Sequence, residues 1–292
     1  MFRKAERKKA KLRLGILGPA GSGKTYSALL IAQGLGGRVA LLDTEHGSGE
    51  LYSQMMDYDV ATLTPPFTPQ RYIEIIHEAE KAGYNTLIID SLSHAWSGEG
   101  GVLDMHDKAS SATRNSFTAW REVTPHHNAL VDAILRSPIH IIATMRTKTA
   151  YEVTTENGKT KVAKVGLAPV QREGMEYEFT VVFDLSLDGH VATATKDRTS
   201  LFDGRHFVPN LETGKELLEW LESGVDPVKK SRELFEDLKG KMNEIDNIFH
   251  LRNWWKKHAA EIEQLAPAHK EQIIRLKNEM KASLDNGRKA GV

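Results

Sequence analysis

The stretch LRLGILGPAGSGKT, residues 12–25, decides the fold. Its first half is an apolar run that reads as a buried strand; its second half is a glycine-rich turn that opens a helical pattern. The turn, Gly18-Pro19-Ala20-Gly21-Ser22-Gly23-Lys24-Thr25, has the spacing G-x-x-x-x-G-K-[ST] and falls after a strand and before a helix, where that spacing carries meaning. Glycines let the backbone fold tightly enough for several N–H groups to face one point and hold phosphate oxygens. The helix N-terminus adds positive partial charge, Lys24 brings a cation to the outer phosphates, and the Thr25 hydroxyl is placed as a magnesium ligand. Tyr26 follows directly and extends the nucleotide-contacting stretch. The expected cofactors are ATP and Mg2+.

Outward from this turn, β-rich runs alternate with helical patterns up to Gly224, as in a mostly parallel sheet with crossover helices. Strands are expected at 12–18, 38–43, 86–90 and 139–145, and helices at 24–35, 70–81 and 125–136. The runs 179–187 and 190–196 flank Asp188-Gly189, a hairpin signal. The fold class is thus α/β, a mostly parallel twisted sheet with a small all-helical C-terminal region. Three regions follow: a basic leader over 1–13, read as a solvated tail; a core over 14–224; and helices over 227–292. Near the end of the core Thr213-Gly-Lys-Glu216 reads as a capping box, and in the last region the spacing beyond Pro227 predicts two or three amphipathic helices with Trp254 and Trp255 in their core.

A chain of 292 residues, 40% apolar and 27% charged, accommodates one large domain and an appendage. It has no cysteine, which excludes disulfides, thiolate zinc sites and thiol catalysis and fits a reducing cytoplasm, the expected location. No apolar run approaches the ~20 residues that cross a bilayer, and no signal-peptide pattern opens the sequence, so no membrane is expected as partner. Formal net charge is zero, so contact with nucleic acid has to come from local basic segments. His126-His127 has no carboxylate at ligand spacing and reads as surface or packing.

Asp90 ends the apolar run TLIID (86–90), where a chain with such a phosphate cradle holds magnesium, usually through a water. The second strand ends Leu42-Asp43-Thr44-Glu45-His46, and Tyr52 comes seven residues after Glu45. Here the sequence resembles the RecA family of recombination ATPases. The resemblance implies that Glu45 polarises the water that attacks the γ-phosphate and that Tyr52 stacks on adenine; the family's second acid falls on Gly49. IIATMRTK (141–148) looks like the family's strand that ends in a γ-phosphate sensor, normally glutamine and here Thr144. TATKDRTS (193–200) resembles the segment whose two basic residues, here Lys196 and Arg198, reach a neighbour's phosphates; two solvated charges on an edge strand are the alternative.

The resemblance covers about residues 14–200 and is nearest to small phage-encoded RecA-like ATPases found among annealing and recombination genes. It implies a homo-oligomer, ring or filament, that hydrolyses ATP and binds single-stranded DNA. Residues 147–172 lack periodicity, read as an unstructured loop, and carry Lys148, Lys159, Lys161, Lys164 and Arg172 with Thr and Asn donors, suited to phosphate contacts. Tyr151 there offers a base-stacking face worth roughly 1–3 kcal/mol. Residues 98–114, with Lys108 and Arg114, fall where the family's other DNA loop begins. For residues 147–172 a solvated loop without ligand is the alternative. Two other functions stay open: a motor or helicase-loading ATPase, and a slow nucleotide-gated protein that recruits replication or recombination partners through its helical tail.

Overall fold

The structure, a computed structural model, describes residues 4–156 and 159–289; the side chains of residues 113, 149–166 and 286–289 lie outside the described set. In chain order the elements of the larger unit, Lys11–Leu221, begin with β1 (Arg13–Gly18), α1 (Lys24–Leu35), β2 (Val39–Asp43), β3 (Asp59–Thr62), α2 (Pro69–Lys81) and β4 (Thr86–Asp90). They continue with α3 (Ser93–Ser97), α4 (Val102–Thr113), α5 (Ser116–Arg136), β5 (His140–Glu156), β6 (Lys159–Pro169), β7 (Val181–Leu185), β8 (Ala192–Asp197), β9 (His206–Phe207) and α6 (Leu211–Glu222).

The sheet order is β3-β2-β4-β5-β1-β7-β8-β9, parallel from β3 through β7 and antiparallel beyond, with β6 paired to β5 alone. Every residue of β1, β2 and β4 is buried, which explains why these strands read as unbroken apolar runs. Alternate side chains feed two cores, because successive Cβ atoms on a strand point to opposite faces. Leu41, Ile88 and Ile142 pack with Leu29 of α1 and Leu217 of α6 on one face. Leu42, Ile89 and Ile141 pack with Tyr72 and Ile76 of α2 and Leu130 and Ile134 of α5 on the other.

Two local devices fix the layers. A Cβ on Gly34 of α1 would lie 2.2 Å from the Leu211 carbonyl oxygen, and one on Gly214 of α6 would lie 2.2 Å from that of Ile31, so these helices cross backbone against backbone. At the sheet's other end the buried Arg13 guanidinium donates to the carbonyls of Ile139 (2.7 Å), Ser137 and Leu135 (3.2 Å). It thereby satisfies the C-terminal end of α5, where carbonyls lack intrahelical partners. Desolvation there lowers its pKa to about 10.

Several expectations are corrected. α5 begins nine residues before Pro125, which lies inside the helix, because the Asn115 side chain accepts from the Phe117 and Thr118 amides and starts the helix there. Residues 98–114 are largely helical, in α4. The expected loop over 147–172 is mostly a long antiparallel hairpin, with Thr147 opposite Pro169 and Glu156 opposite Lys159. α6 is capped at Asn210 rather than Thr213: Asn210 Oδ1 accepts from the Glu212 and Thr213 amides, and Thr213 Oγ1 accepts from the Asn210 amide.

The smaller unit combines the described residues of 1–10 with those of 222–292. It contains α7 (Pro227–Asn243), α8 (Ile248–Lys257), α9 (Ala259–Ile262) and α10 (Pro267–Lys289), around Phe235, Leu238, Met242, Leu251, Ile262 and Ile273. Trp254 and Trp255 pack against that core. The leader is not a free tail: the Val225 amide donates to the Arg7 carbonyl at 2.9 Å and the Lys9 amide to the Val225 carbonyl at 3.0 Å. Lys9 also pairs with Glu222 at 2.6 Å, and Lys230 with Glu6 at 2.7 Å.

Candidate active site

The tips of β1, β2, β4 and β5 form one edge of the sheet, and the expected chemistry gathers there. β1 ends at Gly18 and the chain turns through Gly21 (φ 81°) and Gly23 (φ 85°), left-handed conformations that glycine adopts without penalty. Gly23 is the N-cap of α1 and contributes no side-chain hydrogen bond, so the first amides of the helix stay available to an anion. Ser22 Oγ is buried without a hydrogen-bond partner among the described residues, a donor held inside the turn. Lys24 Nζ lies over the turn, donating to the carbonyls of Gly18 (3.0 Å) and Pro19 (2.8 Å). Burial lowers its pKa, while Asp90 and Glu45 act in the opposite sense.

Asp90, 1% exposed, is the centre of the site. Thr25 Oγ1 donates to its Oδ2 and Thr144 Oγ1 to its Oδ1, each at 2.5 Å. Desolvation raises the Asp90 pKa; the two hydroxyl bonds and Lys24 oppose the rise, and Glu45 adds to it. Thr25 and Asp90 form a pair of hard oxygen donors, the chemistry that Mg2+ prefers. Thr144 is fully buried and its hydroxyl is engaged by the carboxylate, so it orients Asp90.

Glu45 stands at the tip of β2, placed by Asp43. One Asp43 oxygen accepts from the Glu45 amide (2.6 Å) and the other from the Gly49 amide (3.1 Å). A Cβ on Gly49 would lie 2.7 Å from Leu41 Cδ2, so a side chain there requires the buried Leu41 to shift. Glu45 pairs with a cation: Arg146 Nε and a terminal guanidinium nitrogen both lie 2.9 Å from Glu45 Oε1. Tyr52 ends the short 3-10 helix Ser48–Tyr52 and meets Tyr26 edge to face, ring centres 6.2 Å apart.

The remaining predicted residues lie away from this group. Lys196 and Arg198 both donate to the Tyr177 carbonyl, and neither is among the charges that shift Lys24. Lys148 is exposed on β5. Lys159, Lys161 and Lys164 are on β6 by backbone, with side chains outside the described set. Arg172 does not reach outward: its guanidinium is 6.0 Å over the Trp120 ring and 3.5 Å from Thr124 Oγ1, on α5. His127 is buried edge-on to Trp96, a packing histidine whose pKa is lowered first by desolvation and then by Arg172. Sequence reasoning missed Arg146, the positioning role of Asp43, and His190, which flanks the turn 3.3 Å from a Cβ built on Gly23.

A glycine turn from a central parallel strand, a lysine and threonine at the following helix, and a buried acid on the neighbouring strand define a P-loop nucleotide-binding ATPase. The family model described as AAA domain matches residues 10–216, more than half of the chain, and the chain belongs to that family. No curated protein matches the sequence. Among the described residues no helix is long and apolar enough to cross a membrane.

Proposed function

We propose that the chain is a RecA-like ATPase that assembles with copies of itself, grips single-stranded DNA in an ATP-dependent way and serves recombination or annealing, in the manner of small phage-encoded relatives of that type. One observation carries the reading: Glu45 at the tip of β2, held by Arg146 of β5, lies close enough to the phosphate cradle for its charge to act on both Lys24 and Asp90. A small-molecule kinase has no use for a carboxylate poised to activate water.

In this reading the triphosphate takes the amides of the turn, and Lys24 exchanges the Gly18 and Pro19 carbonyls for β- and γ-phosphate oxygens. Thr25 and Asp90 would hold Mg2+, which would neutralise phosphate charge. Glu45 accepts a proton from water as the water oxygen attacks the γ-phosphorus in line; the bond to the β-phosphate oxygen breaks, giving ADP and phosphate. Tyr52 and Tyr26 flank the adenine. Lys196 and Arg198 serve the site of a neighbouring copy, by the logic of an arginine finger.

β5 supplies the coupling. It passes Thr144, bonded to Asp90, and Arg146, bonded to Glu45, and runs on from Thr147 into the β5–β6 hairpin with its lysines. A change at the γ-phosphate that releases Arg146 from Glu45 therefore acts at the root of the hairpin proposed to hold DNA. The test is ATPase rate per chain measured across protein concentration, with and without single-stranded DNA. The reading expects a rise with both; a rate indifferent to both contradicts it.

A further inference from the structure

The net charge of zero conceals a strong division. The larger unit, residues 11–221, has 20 Lys and Arg against 26 Asp and Glu, whereas the smaller unit has 19 against 13. The basic excess is not evenly spread. Four lysines of the helical region are paired, Lys230 with Glu6, Lys239 with Glu236, Lys241 with Asp237 and Lys270 with Glu263. α8, IFHLRNWWKK, contains no acid at all, and none of Arg252, Lys256 and Lys257 takes part in an ion pair among the described residues.

The helix sorts these residues by face. Leu251 is buried and Trp254 packs against the core, whereas Phe249, Arg252, Asn253 and Lys256, at spacings of three and four, are all exposed. Phe249 is 65% exposed, an aromatic ring that the unit's own core does not use. Lys257 flanks the same face.

We infer that this face of α8 is a second binding surface, for single-stranded nucleic acid, in which Arg252, Lys256 and Lys257 contact successive phosphates, Asn253 donates to the backbone and Phe249 stacks on an unpaired base. Unpaired cations in an acid-free helix match a polyanion by counterion release, and an exposed ring one turn before them matches bases that have left a duplex. The inference does not depend on the RecA-like reading, because it needs neither ATP nor the β5–β6 hairpin.

The test uses the full chain without nucleotide and a fluorescent oligothymidylate, with anisotropy followed across salt. Arg252→Gln/Lys256→Gln/Lys257→Gln is expected to weaken binding about tenfold or more and to reduce the log–log salt slope by about 2, the share of three phosphate contacts on a single strand. Phe249→Ala is expected to weaken the single strand severalfold and leave a blunt duplex of equal length unchanged. Basal ATPase and the unfolding midpoint are expected to stay at the parent values. Wild-type affinity and slope in the triple variant would overturn the proposal, as would a lowered unfolding midpoint with unchanged binding, which would make the lysines mere partners of the helix C-terminus. Loss of binding to anionic vesicles with oligonucleotide binding intact would assign the face to a membrane and equally overturn it. Lys24→Ala separates this site from the ATPase reading, since it is expected to abolish hydrolysis and keep the nucleotide-independent binding.

Discussion

Asp90 shows how a residue placed for function costs the fold. Its carboxylate is buried, and desolvation outweighs the Thr25 and Thr144 hydroxyls and Lys24 to raise its pKa. A raised carboxyl pKa means that the charged form is less favourable in the folded chain than in the unfolded one, so the penalty is fully present above the folded pKa. It fades as pH falls through that value and is gone below the ordinary carboxylate range. Asp90→Asn is therefore expected to raise the unfolding midpoint at neutral pH by ~2–4 °C for each ~1 kcal/mol recovered, to lose this advantage in acid, and to lose hydrolysis; a lower midpoint at neutral pH would contradict the account. Arg146 is the second test at this scale. Because it positions Glu45 without touching the cradle, Arg146→Ala is expected to lower kcat about tenfold or more while changing KM for ATP little, with Arg146→Lys restoring part. Steady-state kinetics check this. The cradle and Asp90 are candidates from local spacing, and Glu45 from the resemblance of residues 42–46 to a RecA strand end. Arg146 was not legible, since its bond to Glu45 joins residues 101 apart.

Among the elements, those with one dominant local signal were readable. α1, β2 and β4 follow from an apolar run or a glycine boundary, and their limits agree with the expected ones to within a residue. α5 was not, because Pro125 outweighed the Asn115 cap in the reading although the cap is what starts the helix. The β5–β6 hairpin announces itself only in Asn157-Gly158, a strong hairpin dipeptide in sequence terms, because lysines and threonines replace an apolar alternation in the flanking segments. The crossing of α1 and α6 could not be read at all, since nothing local distinguishes Gly34 from a helix-weakening glycine. It yields a prediction with a built-in contrast. Gly34→Ala drives a methyl into the Leu211 carbonyl and is expected to cost ~1–3 kcal/mol in chemical denaturation. Gly240→Ala, on α7 with open space around it, is expected to gain ~1 kcal/mol.

For the whole molecule the account joins a nucleotide site at one sheet edge to assembly and DNA through β5 and β8. If Lys196 and Arg198 serve a neighbour's site as proposed, Lys196→Ala/Arg198→Ala retains ATP binding but loses the rise of specific activity with protein concentration. Mixing it with Lys24→Ala chains is expected to restore part of the turnover, as each lends what the other lacks; no restoration contradicts the shared site. The central claim is narrower, that Glu45 activates the water. Its most direct measurement is Glu45→Gln examined for ATP affinity and for single-turnover hydrolysis side by side. The account predicts affinity near that of the parent and hydrolysis slowed by about 10²-fold or more. Hydrolysis at the parental rate with ATP bound would contradict it.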